Sequence, residues 1–299
     1  DGVLEVLVRA IPLTIVGLGI VVAFRARIFN VGADGQVILG AVVAVAVAQA
    51  APGLPGWLLV PLFLAAGMAG GGVWGGIAGW LRARFNANEI IVTIMLNYVA
   101  LQLLAWVIRG PMQEDMKILP QSDAIPNAVM FDALIEGSRI HAGLFISAMA
   151  ILLVHIVVRH SRFGYELNAV GESPPAARYG GINDRRIIFV AMIVSGGLAG
   201  LAGAVEIAGI QGRLQDDFAP GVGITAIAVA LLARLNPLFI PFAALLFGVL
   251  SVGSGALQRE LGVPFPLLQV IEGIVILGYL VLSYLRSGTP SRRLMVGGR

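Results

Sequence analysis

The chain has 299 residues, 58% of them apolar and only 12% charged, with a formal net charge of +3 and a mean hydropathy of +0.90. A soluble domain of this length needs far more polar surface, so the composition excludes one. A pI near 9.7 does not point to nucleic acid here, because the basic residues lie in short loops between apolar runs, where they set membrane topology.

The apolar runs are continuous and lack the alternation of membrane strands. They predict an all-α, polytopic membrane bundle of about eight or nine spans. In chain order the spans fall at about 3–24, 37–51, 57–81, 90–109, 141–158, 187–208, 222–235, 238–256 and 267–285. The second and seventh are short and follow Gly-rich polar stretches, which suggests broken or re-entrant helices. The whole of 1–299 reads as one transmembrane domain, with an outside loop at 110–140 and a cytoplasmic loop at 160–186.

Orientation follows from the basic residues. With the 160–186 loop inside, Arg25, Arg27, Arg82, Arg84, Arg159, Arg162, Arg178, Arg185, Arg186, Arg234, Arg286, Arg292, Arg293 and Arg299 share the cytoplasmic face. Arg109, Lys117, Arg139, Arg213 and Arg259 take the other face. Asp1 then lies outside, which leads us to expect a further span upstream.

Before the second span runs Phe29-Asn-Val-Gly-Ala-Asp-Gly-Gln36. Gly32 and Gly35 allow tight turns. Asn30 and Gln36 suit a turn lining a wet cavity, since irregular backbone at membrane depth needs protein or water around it. Asp34 is expected to cap its own helix.

The fourth span opens on Asn88, a natural N-cap, and Glu89, which the helix dipole favours in the first turn. Glu89, Thr93 and Asn97 share one face; Gln102 lies on another. Asn97 either bonds a neighbouring helix or lines a wet path, and Thr93 can bond back to its own helix. Glu206 and Glu272 lie in apolar spans near their outer ends, where they reach the interface more readily than they relay protons. The 110–140 loop reads either as a cap that touches a partner or as a solvated connector.

The cytoplasmic loop contains Gly171-Glu-Ser-Pro-Pro-Ala-Ala-Arg-Tyr-Gly180. Ser173 is an N-cap, Pro174 suits the first helical position and Gly180 is a C′ glycine. A helix of barely two turns cannot stand alone in water, so it must pack on something. Glu172, Arg178 and Tyr179 suit it to docking in a groove. Phe29-x-x-Gly32 and Phe218-x-x-Gly221 each precede a short span from opposite faces, a weak hint of an inverted repeat.

The chain has no cysteine, and its histidines lack metal-ligand spacing, so we expect no metal or other cofactor. There is no phosphate-binding loop motif and no set of residues suited to catalysis, so no enzyme activity is read in this chain.

Four stretches together resemble the nucleoside-type permeases of the branched-chain amino acid/sugar permease superfamily, which serve ABC importers. They are "RARIFNVGADGQVILGA", "NEIIVTIMLNY", "AVGESPPAARYGGI" and "GITAIAVALLARLNPL". The resemblance implies a multi-pass protein of the bacterial inner membrane that imports nucleosides or similar nucleobase-containing solutes. It implies a second permease chain, an extracytoplasmic substrate-binding protein and ATP-binding cassette subunits, which hydrolyse the ATP. The coupling helix of such permeases maps onto Ser173–Tyr179, with Gly171, Glu172, Ser173, Pro174, Ala177, Arg178 and Tyr179 as docking residues. The doubled proline, Pro174-Pro175, departs from the usual single one. Asn30, Gln36, Glu89, Thr93, Asn97, Gln102 and Glu206 are the residues we would place along the pathway. The rival readings are an ion-gradient-driven carrier, a non-transporting scaffold, or a permease for flavin, sugar or branched-chain amino acids.

Overall fold

A computed structural model describes residues 2–261 apart from 217 and 219, together with Val270, Gly273, Ile274 and Gly278. Most of the span expected at 267–285, including Glu272, lies outside the described residues. Two compact units divide the chain, Asp1–Val249 and Leu250–Arg299. The first holds the helical bundle and both loops.

Every regular element described is helical. The long apolar ones are α1 (Gly2–Arg25), α2 (Ala33–Ala50), α3 (Gly56–Phe85), α4 (Glu89–Ile108), α5 (Gly143–His160), α8 (Asp184–Glu206) and α10 (Ile240–Leu261). Between α5 and α8 lie two further helices, α6 (Arg162–Glu172) and α7 (Pro174–Tyr179). A π turn, Ile207–Gln211, extends α8; the short α9 (Val222–Leu232) and then α10 (Ile240–Leu261) follow. Among the described residues, seven helices are long and apolar enough to cross a membrane.

α1 and α8 form the centre: from Leu13 to Phe24 every residue of α1 is buried, as is every residue of α8 from Ser195 to Glu206. No aqueous hydrophobic effect holds such helices together in lipid, so close packing must. Glycine supplies it. A Cβ on Gly200 of α8 would sit 2.1 Å from the carbonyl oxygen of Gly67 on α3, and one on Gly71 would sit 2.3 Å from that of Gly196. The helices therefore meet backbone to backbone. α3, α4 and α5 turn many large apolar side chains outward, among them Trp57, Trp106 and Phe145, as helices at a lipid or subunit boundary do.

Among the described residues the expected boundaries hold to within about five residues, but the second span is not short or broken: α2 is a continuous helix of 18 residues, while α9 is short, with 11. The 141–158 span begins at Gly143, leaving His141 in the preceding loop. The 110–140 loop folds on its own chain: Ser122 N–H donates to Leu214 O (2.9 Å), Ile125 N–H to Gly212 O (2.9 Å) and Phe131 N–H to Ala208 O (2.8 Å).

Candidate functional site

Two places gather the polar groups. The first lies where the chain turns back into the bundle after α1. Residues 26–32 are non-helical and bring Asn30 to complete burial. Asn30 Nδ2 donates to Gln36 Oε1 (2.9 Å) and Ser195 Oγ (2.8 Å). Its Oδ1 accepts from Gln36 Nε2 (3.0 Å) and from the backbone N–H of Gly32 (3.1 Å). Two amides thus satisfy each other head to tail, which is how buried polar groups avoid a desolvation penalty. Ser195 on α8 joins this set. It carried no sequence signal, because a serine in a span ordinarily bonds its own helix.

Beside that set, Asn97 of α4 accepts from Gly35 N–H (2.9 Å) and donates to Val31 O (2.9 Å), tying α4 to the turn. Gly32 has to be glycine here, since a Cβ would meet the Thr93 Cβ at 2.9 Å. Thr93 Oγ1 bonds back to Glu89 O at 2.7 Å. Asn88 caps α4 as expected, accepting from Ile90 N–H (3.0 Å) and Ile91 N–H (3.3 Å). Glu89 is buried and faces Arg82 at 3.4 Å.

Asp34 does not cap its own helix. Gly32 stands at that cap without a side-chain bond. The Asp34 carboxylate accepts instead from the N–H of Gly223, at 2.6 Å, in the first turn of α9. The physical reason is tertiary: α9 starts beside α2 with unpaired backbone donors, and a carboxylate satisfies one of them.

Of the other predicted residues, Gln102 is exposed on the outer side of α4. Glu206 is buried at the end of α8 and pairs with Gln211 across the π turn, apart from the Asn30 set.

The second place is the loop between α5 and α8. Ser173 Oγ accepts from Ala176 N–H (3.4 Å), Pro174 opens α7, and only Ala177 of its six residues is buried. Gly180 stands at the C-cap with φ −76°, and Gly181 takes the left-handed conformation, φ +81°. The terminating glycine is thus one residue later than its sequence position suggested, because the helix runs to Tyr179. Tyr179 is 99% exposed. Arg178 pairs with Asp184 at 3.4 Å. Pro174 and Glu172 are exposed, while Gly171 is buried against the last carbonyl of α1. α7 and α6 enclose a groove of about 430 Å³ lined by Arg162, Tyr165, Glu166, Glu172 and Ser173 among others. The amphipathic α6 was not foreseen, although Ser161 caps it and Gly164, Leu167, Val170 and Gly171 give it a buried face.

The sequence matches the family described as branched-chain amino acid transport system / permease component over residues 2–283. It is 38% identical to a glucose ABC transporter permease protein of Haloferax volcanii, over 94% of this chain and 76% of that protein. It is 35% identical to a guanosine ABC transporter permease protein of Bacillus subtilis, over 94% of this chain and 81% of that protein. It is 33% identical to a nucleoside ABC transporter permease protein of Lactococcus lactis, over 89% of this chain and 75% of that protein.

Proposed function

The chain belongs to this permease family, and we propose from that premise that it is the transmembrane subunit of an ATP-driven importer for nucleosides or similar nucleobase-containing solutes. The observation that carries the coupling half of this reading is α7. It is a capped, two-turn helix that leaves Tyr179 bare beside a polar groove on the face rich in arginine. Separate cassette ATPases dock there. A second permease chain completes the pathway, and an extracytoplasmic protein delivers the solute. In a bacterium the complex lies in the inner membrane.

Gly171, Glu172, Ser173, Pro174, Ala177, Arg178 and Tyr179 form the docking element in distinct ways. Ser173 and Pro174 start α7, Ala177 anchors it, and Gly171 lets α6 sit on α1. Glu172 and Tyr179 are exposed to the partner, whereas Arg178 is partly engaged by Asp184. ATP-driven closure of the partner subunits moves this element. Tyr179→Ala tests docking with little risk to the fold. Recovery of the ATPase on co-purification should fall about 10-fold or more. Unchanged recovery and uptake would remove the docking role.

Glucose is the second substrate reading, supported by the 38% identical relative. Uptake of labelled guanosine and labelled glucose by the reconstituted complex decides between them. ATP-dependent glucose uptake without guanosine uptake would overturn the nucleoside reading. Uptake that persists without ATP and stops when the proton gradient collapses would replace the ATP-driven reading with a gradient-driven carrier.

A further inference from the structure

We propose that Arg25 is the positioning residue that joins the docking loop to α9, so that movement of α6 and α7 is passed along α9 to the buried polar turn. The proposal rests on the docking reading above.

Arg25 ends α1, and its guanidinium reaches two elements far apart in sequence. Nη1 donates to Asn168 Oδ1 on α6, at 3.2 Å. Nε and Nη2 both donate to the carbonyl of Leu235, at 3.3 and 3.0 Å. The contact with α6 is more than one side chain. A Cβ on Gly171 would lie 2.0 Å from the Arg25 carbonyl oxygen, so the α6 backbone rests directly on the end of α1.

Leu235 belongs to the turn that closes α9. Arg234 and Leu235 both have left-handed backbones, φ +52° and +55°. Two successive non-glycine residues there are strained and persist only where neighbours hold them. Leu235 N–H bonds back to Ala230 O at 3.0 Å, fastening the turn to the helix, while Arg25 holds its carbonyl from the other side. Displacing Leu235 therefore displaces the end of α9.

α9 is a short rod of 11 residues, about 16 Å long at 1.5 Å per residue. Its other end is fixed by the Asp34 bond to Gly223 N–H. The fit there is tight: a Cβ on Gly223 would lie 2.5 Å from the backbone nitrogen of Asp34. Two residues on, Gln36 holds Asn30. One rod thus connects the docking loop to the polar turn, with hydrogen bonds at both ends. A guanidinium presents its Nε edge and its Nη1 tip in fixed directions and can grip both partners at once; an ammonium is a single point charge.

The test uses the complete complex with its ATPase, reconstituted in liposomes, and compares Arg25→Gln, Arg25→Lys, Asn168→Ala and the Arg25→Gln/Asn168→Ala double variant. ATPase recovery and basal hydrolysis should stay near wild type in all four. Solute moved per ATP should fall about 10-fold in Arg25→Gln, with Lys giving little rescue. Asn168→Ala should lose less, and it should add nothing once Arg25 is gone. An unchanged ratio of uptake to hydrolysis in Arg25→Gln would overturn the proposal. So would losses that multiply independently in the double variant. Should Arg25→Gln not accumulate in membranes, Asn168→Ala alone decides: an unchanged ratio refutes the link. A wild-type chain that recovers no ATPase refutes the docking reading, and this one with it.

Discussion

Asn30→Ala should cost about 2–3 kcal/mol of stability, and the figure can be built bond by bond. The side chain is fully buried. Its removal strands both ends of the Gln36 amide and the Gly32 N–H. The Ser195 hydroxyl is different, because it can turn to a carbonyl of its own helix. Polar contacts between membrane helices average about 0.6 kcal/mol, and a buried group left unpaired costs about 1–3 kcal/mol. Three stranded groups at about 0.7–1 kcal/mol each give the predicted loss. Ser195→Ala, which breaks only the 2.8 Å bond, should stay below about 1 kcal/mol. The double variant Asn30→Leu/Gln36→Leu should lose less than the sum of the two singles, since neither amide is then left alone. Unfolding in mixed micelles, followed by tryptophan fluorescence as denaturing detergent is added, measures all of these. An Asn30→Ala loss under about 0.5 kcal/mol, or strict additivity in the double, would refute the closed amide pair and mean that water already reaches it.

Two further outcomes follow from the packing and from the loop between α4 and α5. Gly200→Leu should prevent stable folding or cost about 1–3 kcal/mol or more, because its Cβ would meet backbone at 2.1 Å; Gly197→Ala, whose nearest neighbour is the Met68 carbonyl oxygen at 3.4 Å, should be tolerated, and equal losses in a thermal-melt comparison would contradict the backbone-to-backbone contact. His141 is buried, its Nδ1 accepts from Gly143 N–H at 3.1 Å and its Nε2 has no partner. Burial first, and the Arg139 guanidinium second, hold its pKa below the ordinary 6.5. The unfolded chain therefore takes up a proton before the folded one does, so stability is full above about 6.5 and declines as pH falls through that value toward the lowered one. His141→Phe should flatten that decline in melts taken from about pH 8 to about pH 5, and an unaltered slope would assign it to another group.

What the sequence made legible is local. Spans, caps and the two-turn helix follow from hydropathy, from Asn88 and Ser173, and from Pro174, because each depends on residues within one or two turns. The irregular stretch before α2 was legible as well, since Gly32 allows a tight turn and Asn30 and Gln36 need polar partners wherever they are buried. Pairings across the fold were not. Nothing near Asn97 shows that Val31 and Gly35 are its partners, and nothing near Ser195 shows that it faces Asn30. α6 was missed for a different reason: it is only 11 residues long and too polar on average to stand out among the apolar spans, so its short buried face of Gly164, Leu167, Val170 and Gly171 was read as loop.

Asp34 shows why a carboxylate belongs at such a place. A helix start presents unpaired N–H groups and about half a positive charge. α2 begins at Ala33 and α9 at Val222, and their first turns touch through Asp34 and Gly223. Bringing two positive ends together is unfavourable, and one carboxylate between them relieves both the charge and one unpaired donor. An asparagine would supply the acceptor but not the charge. Gly32 and Gly221 stand at the starts of α2 and α9, and the two helices share one counter-charge. A sequence reader sees an aspartate in the first turn of a helix and assigns it to that helix. The fold assigns it to the N–H of Gly223, 189 residues later, because the first turn of α9 is the second unpaired helix end.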